Sequence, residues 1–349
     1  MCSANPTVSV VLPVYNRVAY VEEAVESILS QTLEDFEFII IDDGSTDGSG
    51  DLLSAYAQAD KRIRLRRREN RGLITSLNEG IDMARGHYIA RMDSDDCSYP
   101  QRFVRQVAFL DRHPAIGVVG SKIEFIDADG QVNGAWPMPT NPDMIAWKLL
   151  FNNCLCHPSV MMRRSALAAV GGYATWAEYA EDYELWTRLL QTTRIANLPD
   201  VLLKFRRHDD AVTIRKRTEQ IRRCCDIATR LHRVLLREHV NPRLSAFLVW
   251  MEVKGIDEAI AQTGVEDLAV VHHYLRLLYG QYVEVLLKDD SNSAVRQQAL
   301  ARCDRLARRI GTHEGHVHGL RYMLEARFMA PGREILPWGL QAVQRRVAS

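Results

Sequence analysis

The sequence predicts an α/β fold in which a mostly parallel sheet is followed by an α-helical C-terminal region. Three observations predict it. Short β-branched runs alternate with helical apolar patterns between residues 8 and 92, as βαβ units require. Turn residues and carboxylates collect where those strands end, at the edge where open α/β sheets bind ligands. From about residue 215 onward the apolar spacing is helical almost throughout. Two domains are therefore expected in the 349 residues, 1–215 and 216–349.

The elements follow in order. Val8, Ser9, Val10, Val11 and Leu12 read as a buried parallel strand. Asn16 is placed to cap a helix whose inner face carries Val21, Val25, Ile28 and Leu29. Residues 36–41 form a second buried strand, which ends in turn chemistry at Asp42-Asp43-Gly44-Ser45. A short helix around Leu52 and Leu53 comes next. Ile63 and Leu65 alternate with arginines, as in a strand with one polar face. Leu73, Leu77, Ile81 and Ala84 recur at helical spacing, and Gly86 ends that helix. Residues 87–92 form a fourth strand that runs into Asp93-Ser94-Asp95-Asp96. Residues 124–126 and Val132 flank a hairpin turn at Asp129-Gly130, and Pro137, Pro139 and Pro142 mark a loop. Residues 159–162 read as a strand and 182–191 as a helix. Further helices are expected at 221–236, 244–253, 268–287 and 294–310.

Hydrophobic residues make up 47% and charged residues 25%, an ordinary globular balance. Lys plus Arg equals Asp plus Glu at 44 each, so net charge does not argue for a nucleic-acid partner. The seven cysteines lack zinc-finger spacing, and a reducing cytoplasm is the simpler setting. The N-terminus carries no signal-peptide pattern. No apolar run approaches the roughly 18 residues that cross a bilayer.

Asp93, Asp95 and Asp96 are the sharpest chemical feature. Carboxylates gathered at a sheet mouth repel one another unless they are solvated or bind a cation, and hard oxygen ligands suit Mg²⁺ or Mn²⁺. A polar, helix-capping turn is the alternative. Asp43 follows the second strand, where an aspartate accepts hydrogen bonds from a base or ribose or closes an Asx turn. The first loop, Pro13-Val14-Tyr15-Asn16, has no GxGxxG, which argues against a nicotinamide or flavin dinucleotide. Cys154-Leu155-Cys156-His157 lacks a second ligand pair and reads as buried thiols rather than a zinc site.

Together these segments resemble the inverting family 2 glycosyltransferases of GT-A fold. The matching residues are Pro13-Val14-Tyr15-Asn16, Ile41-Asp42-Asp43-Gly44-Ser45-Thr46-Asp47 and Asn70-Arg71-Gly72. Residues 86–96, with Pro100 and Arg102 after them, match as well. So do His157-Pro158-Ser159, Gly171-Gly172-Tyr173, Glu181-Asp182-Tyr183-Glu184-Leu185-Trp186 and Phe205-Arg206-Arg207-His208. The resemblance covers residues 6–215. It implies that Pro13 and Tyr15 line a nucleotide pocket and that Asp43 binds the nucleobase, most often uracil. It implies that Asp93 and Asp95 form a DxD motif, with Asp95 on the metal and Asp93 at the ribose or metal shell. It implies Asp182 as catalytic base and His208 as a further metal or diphosphate contact. The QxxRW motif of cellulose-synthase-type polymerases is absent, which argues against processive polymerisation.

The implied reaction is metal-dependent transfer, with inversion, from a nucleotide sugar. A UDP-sugar is the first expectation, and the acceptor is a saccharide, lipid-linked glycan or glycoprotein. The alternatives are a sugar-nucleotide pyrophosphorylase, whose glycine-rich basic first loop is missing, and a binding module on a scaffold without activity. Residues 203–247 hold 12 Lys or Arg against 5 Asp or Glu, and Trp250, Phe328, Met329, Trp338 and Leu340 supply apolar anchors. These suit a peripheral contact with an anionic membrane, although a solvated helix face is the simpler reading.

Overall fold

The computed structural model describes residues 5–207, 216–287 and 293–314. They fall into two compact units, divided at residues 145/146, 153/154 and 217/218.

The first unit is built on a nine-stranded sheet. Its strands are β1 (Val8–Val14), β2 (Phe36–Asp42), β3 (Ile63–Arg67), β4 (Tyr88–Arg91), β5 (Cys97–Ser98), β6 (Ile116–Ile126), β7 (Val132–Trp136), β8 (Met161–Arg163) and β9 (Arg194–Arg206). Their order is β3-β2-β1-β4-β8-β6-β9-β5, with β7 beside β6. The sheet is parallel from β3 to β4. Beyond β4 it is mixed, because β8 is antiparallel to both β4 and β6. Strand order reverses between β1 and β4, which creates a switch-point crevice at their carboxyl ends.

Every residue of β1 and β2 is buried, which explains their unbroken apolar runs. Helix α1 (Val21–Leu29) covers them with Val21, Ala24, Val25 and Ile28. Val21, Val25 and Ile28 each stabilise the fold by about 1.5–3 kcal/mol on burial, and the Ala24 methyl by roughly 0.8 kcal/mol. Pro13 is tolerated in β1 because β4 pairs with β1 only as far as Val11, so its missing N–H costs no bond on that side. Helices α2 (Ser49–Ala59), α3 (Leu73–Met83), α4 (Arg102–Arg112), α5 (Pro142–Lys148), α6 (Arg164–Val170) and α7 (Glu181–Leu189) complete the order of elements.

Two expectations change, and one long strand comes as an addition. Asn16 does not cap α1. Tyr20 holds that position without a side-chain cap, while Asn16 adopts φ 51° and its Oδ1 accepts from Thr46 N at 2.8 Å. Pro142 opens a helix rather than lying in a loop, as proline does at a first helical position. Strand β9 is 13 residues long, although Pro199-Asp200 interrupts its apolar pattern. Its register against β6 shifts between Ser121 and Lys122.

The second unit is helical: α8 (Arg217–Leu236), α9 (Pro242–Lys254), α10 (Ile256–Thr263), α11 (Leu268–Tyr282) and α12 (Ser293–Glu314). Asn241 caps α9 by accepting from Leu244 N at 3.1 Å, and Pro242 follows at the first helical position. Residues 146–153 belong to this unit. Trp147 packs edge-on against Tyr279. His232 Nε2 donates to Leu150 O at 2.9 Å, so its Nδ1 accepts from Ser245 Oγ, also at 2.9 Å. Burial holds this neutral imidazole down to about 4. Trp250 is buried, so it is not a membrane anchor. Phe328, Met329, Trp338 and Leu340 lie outside the described residues. No helix among the described residues is long and apolar enough to cross a membrane.

Candidate active site

The site grows from the carboxyl ends of β1, β2 and β4. Backbone bonds stitch the loop after β1 to the loop after β2. Asn16 N donates to Ser45 Oγ at 3.0 Å, Arg17 N to Ser49 Oγ at 3.0 Å, and Val18 N to Asp47 Oδ2 at 2.9 Å. Gly44 is required at this junction. Its φ is 80°, and a Cβ there would stand 2.8 Å from Asn70 N.

Asp43 is buried, and its carboxylate is occupied by protein donors. Arg71 N reaches Oδ1 at 2.8 Å, Gly72 N reaches Oδ2 at 2.9 Å, and Arg68 pairs with Oδ1. Asp43 thereby fixes the Asn70-Arg71-Gly72 loop, and Tyr15, just after β1, is 48% exposed. Pro13 is buried one strand pair away, opposite Ile41.

Asp93, Asp95 and Asp96 follow β4. Each offers a carboxylate oxygen, and these oxygens lie within 4.8 Å of one another. Among the described residues no other His, Cys, Asp or Glu group of three gathers this way, so Cys154, Cys156 and His157 form no such set. Asp96 Oδ1 accepts from Arg206 N at 2.8 Å, while the buried Oδ2 has no hydrogen-bond partner among the described residues. Burial, then the charges of Asp93 and Asp95, pushes Asp96 well above the usual carboxylate range. Burial also raises Asp93, against the pull of Arg91.

Arginines hold this turn. Arg91, the last residue of β4, pairs with Asp93. Arg17 Nε lies 3.4 Å from Asp95 Oδ2. Arg206 Nε donates to Asp95 O at 2.9 Å, and its other nitrogens reach Asp127 O, Ala128 O and Glu23. Arg102 is fully buried and places donors on Arg91 O, Val160 O, Ser98 Oγ, Gln106 Oε1 and Met92 Sδ. That accounts for all five guanidinium N–H groups.

Helix α7 brings Glu181 and Asp182 into the same neighbourhood. The buried Cys156 thiol is pushed up by burial, then by Asp96 and Asp93, with Asp182 contributing as well. Glu181 is pushed up to about 7 by burial and then by the charge of Asp182. His157 Nε2 and Tyr173 Oη are 2.6 Å apart, and burial with the Arg91 charge keeps His157 neutral. From α7, Trp186 packs edge-on against His157, beside Cys156. His208 lies outside the described residues. Sequence reading missed the roles of Arg17, Arg91 and Arg206. The available signal for Arg91 was a lone charge inside the buried run Tyr88-Ile89-Ala90-Arg91-Met92.

A mixed sheet, parallel across the switch point where three carboxylates gather, has the layout of a GT-A-type glycosyltransferase. The chain belongs to glycosyltransferase family 2. The family described as glycosyl transferase family 2 matches residues 9–171. The Bacillus subtilis protein EpsE is 37% identical over 224 residues, 63% of this chain and 80% of the relative. The Escherichia coli O-antigen biosynthesis glycosyltransferase WbnJ is 33% identical over 211 residues, 58% of this chain and 80% of that protein. The structure of S. aureus TarS 1–349 in complex with UDP-GlcNAc superimposes with a TM-score of 0.59, at 15% identity and 95% coverage of each chain. At that identity the likeness establishes the fold alone.

Proposed function

We propose that this glycosyltransferase moves a sugar from a nucleoside-diphosphate sugar, in the first instance a UDP-sugar, to an acceptor hydroxyl with inversion. The acceptor is a growing surface polysaccharide or its lipid-linked precursor. The observation that carries this reading is the gathering of Asp93, Asp95 and Asp96 carboxylate oxygens within 4.8 Å of one another at the end of β4. Two further facts support it. Relatives include proteins named for O-antigen and amylovoran biosynthesis. TarS of the same fold was solved with UDP and with UDP-GlcNAc.

The donor set fits a hard divalent cation, because three carboxylates converge and Asp96 Oδ2 lacks a partner. Asp95, with Asp93 and Asp96, would hold Mn²⁺ or Mg²⁺, and His208 is a further candidate ligand. When bound, such an ion offsets negative charge on a nucleoside-diphosphate leaving group. Tyr15 offers an exposed ring face to the nucleobase, and Asp43 shapes the Asn70-Arg71-Gly72 loop. Asp182 accepts the proton of the attacking hydroxyl as its oxygen bonds to the anomeric carbon and the bond to the diphosphate breaks. One displacement inverts that carbon, so no enzyme nucleophile is needed.

The test is a panel of UDP-, GDP- and dTDP-sugars with Mn²⁺, read as release of nucleoside diphosphate. A single UDP-sugar should be turned over, and Asp182→Asn should lower kcat by about 10²–10⁴. Unchanged turnover in Asp182→Asn would remove Asp182 as base. Turnover of only a GDP- or dTDP-sugar would reassign the donor.

A further inference from the structure

Two arginines face the three carboxylates, and they differ in freedom. Arg91 is 4% exposed at the end of β4, with its guanidinium against Asp93. Its Nε has no hydrogen-bond partner, and its backbone is bonded through Arg91 N to Val160 O and through Arg91 O to Arg102. Arg91 is a fixed counter-ion. Arg17 stands on the rim, with a side chain 26% exposed. Among the described residues its side chain has two polar contacts, Asp95 Oδ2 at 3.4 Å and Asn16 O at 3.0 Å. The first is longer than the roughly 2.7–2.9 Å of a strong charge-assisted bond. Its backbone is pinned independently by Ser49, and the neighbouring residues are pinned by Ser45 and Asp47. The result is a long cationic arm on a fixed pivot, resting across the switch point on the second aspartate of the DxD motif.

We infer that Arg17 is an exchangeable counter-ion. It rests on Asp95 in the ligand-free protein, yields that carboxylate to a divalent cation, and moves to the diphosphate of the donor. The inference rests on the donor-site reading above. A divalent ion taking Asp95 Oδ2 must displace Arg17 from it. A diphosphate arriving with the ion gives Arg17 a new anionic partner and supplies further oxygen ligands to the ion. The buried, unpartnered Asp96 Oδ2 marks the position that the ion would satisfy. Metal and nucleotide binding are thereby coupled through one residue, and the coupling is reciprocal.

The test measures Mn²⁺ binding by electron paramagnetic resonance, with and without UDP, in the wild type, Arg17→Ala and Arg17→Lys. Matching circular dichroism and melting curves establish that the variants are folded. Arg17→Ala should bind Mn²⁺ about tenfold tighter without nucleotide, as expected on removing a unit charge beside a divalent ion. The factor by which UDP tightens Mn²⁺ should shrink by about the same amount. Arg17→Lys should stay close to the wild type. Equal or weaker Mn²⁺ binding by Arg17→Ala without UDP would overturn the exchange while leaving the donor-site reading intact. A wild type that binds no Mn²⁺ with or without UDP would overturn both.

Discussion

Glu37 and Asp96 are buried carboxylates at opposite ends of one sheet, and they are treated in opposite ways. Glu37, near the start of β2, accepts from Ser9 Oγ, Arg85 N and Arg64 Nη1 at 2.7 Å each, and from Arg85 Nε at 3.0 Å. Burial alone would raise its carboxyl, but these donors hold it down to about 2. Asp96, after β4, has one oxygen with no donor and two like charges beside it, and it is pushed well above the ordinary range. A carboxylate that its own protein satisfies fixes the structure. A carboxylate left short of donors is disposed to bind something else. A shallow cavity of about 310 Å³ opens at the Glu37 end, lined by Arg62, Arg64 and Arg85. Shape and unsatisfied charge thus point to opposite ends, and the proposed function follows the charge.

The comparison can be strained from both sides. The largest effect is expected at Arg102, which holds the Asp96 end from below. Arg102→Lys leaves three donors for five acceptors in a buried place and should cost about 3 kcal/mol in urea unfolding. A cost below about 1 kcal/mol would mean the guanidinium does not tie β4 to its neighbours.

Next comes Glu37→Gln, expected to cost about 2 kcal/mol at pH 7, discounted because Arg64 and Arg85 are partly screened by solvent. The folded carboxyl lies at about 2, below its ordinary 4.5. Its contribution is therefore full above pH 4.5 and is lost as pH falls through about 2. The variant should flatten the stability–pH curve over that window. A curve with the wild-type slope would place the acid sensitivity elsewhere.

The smallest effect has the opposite sign. Asp96→Asn relieves like-charge crowding while keeping an acceptor for Arg206 N. It should stabilise the metal-free protein by about 1 kcal/mol, as substitutions at charged binding sites often do. Differential scanning calorimetry without metal would register this as a higher melting temperature. A lower one would show that Asp96 is structural, as Glu37 is.

Much of this architecture was legible in the sequence. Strands β1, β2 and β4 could be read because they are buried throughout and run nearly unbroken in apolar residues, and β3 because Ile63 and Leu65 alternate with arginines. The acidic turn stood out because three carboxylates within four residues at one strand end repel one another unless something satisfies them. Strand β9 was hidden by Pro199-Asp200, and residues 146–153 by their distance in sequence from the helices they join. Arg17, Arg91 and Arg206 were invisible as a set, since only the switch point brings residues so far apart onto one turn. Asp43 was legible as a special aspartate. Its three protein donors, and hence its hold on the Asn70-Arg71-Gly72 loop, were not.

The most direct test of the donor site is calorimetric titration of UDP into the wild type and Asp95→Asn, with and without Mn²⁺. The account predicts that Mn²⁺ tightens UDP binding at least about tenfold in the wild type and has no such effect in Asp95→Asn. UDP binding indifferent to both Mn²⁺ and the Asp95 substitution would contradict it.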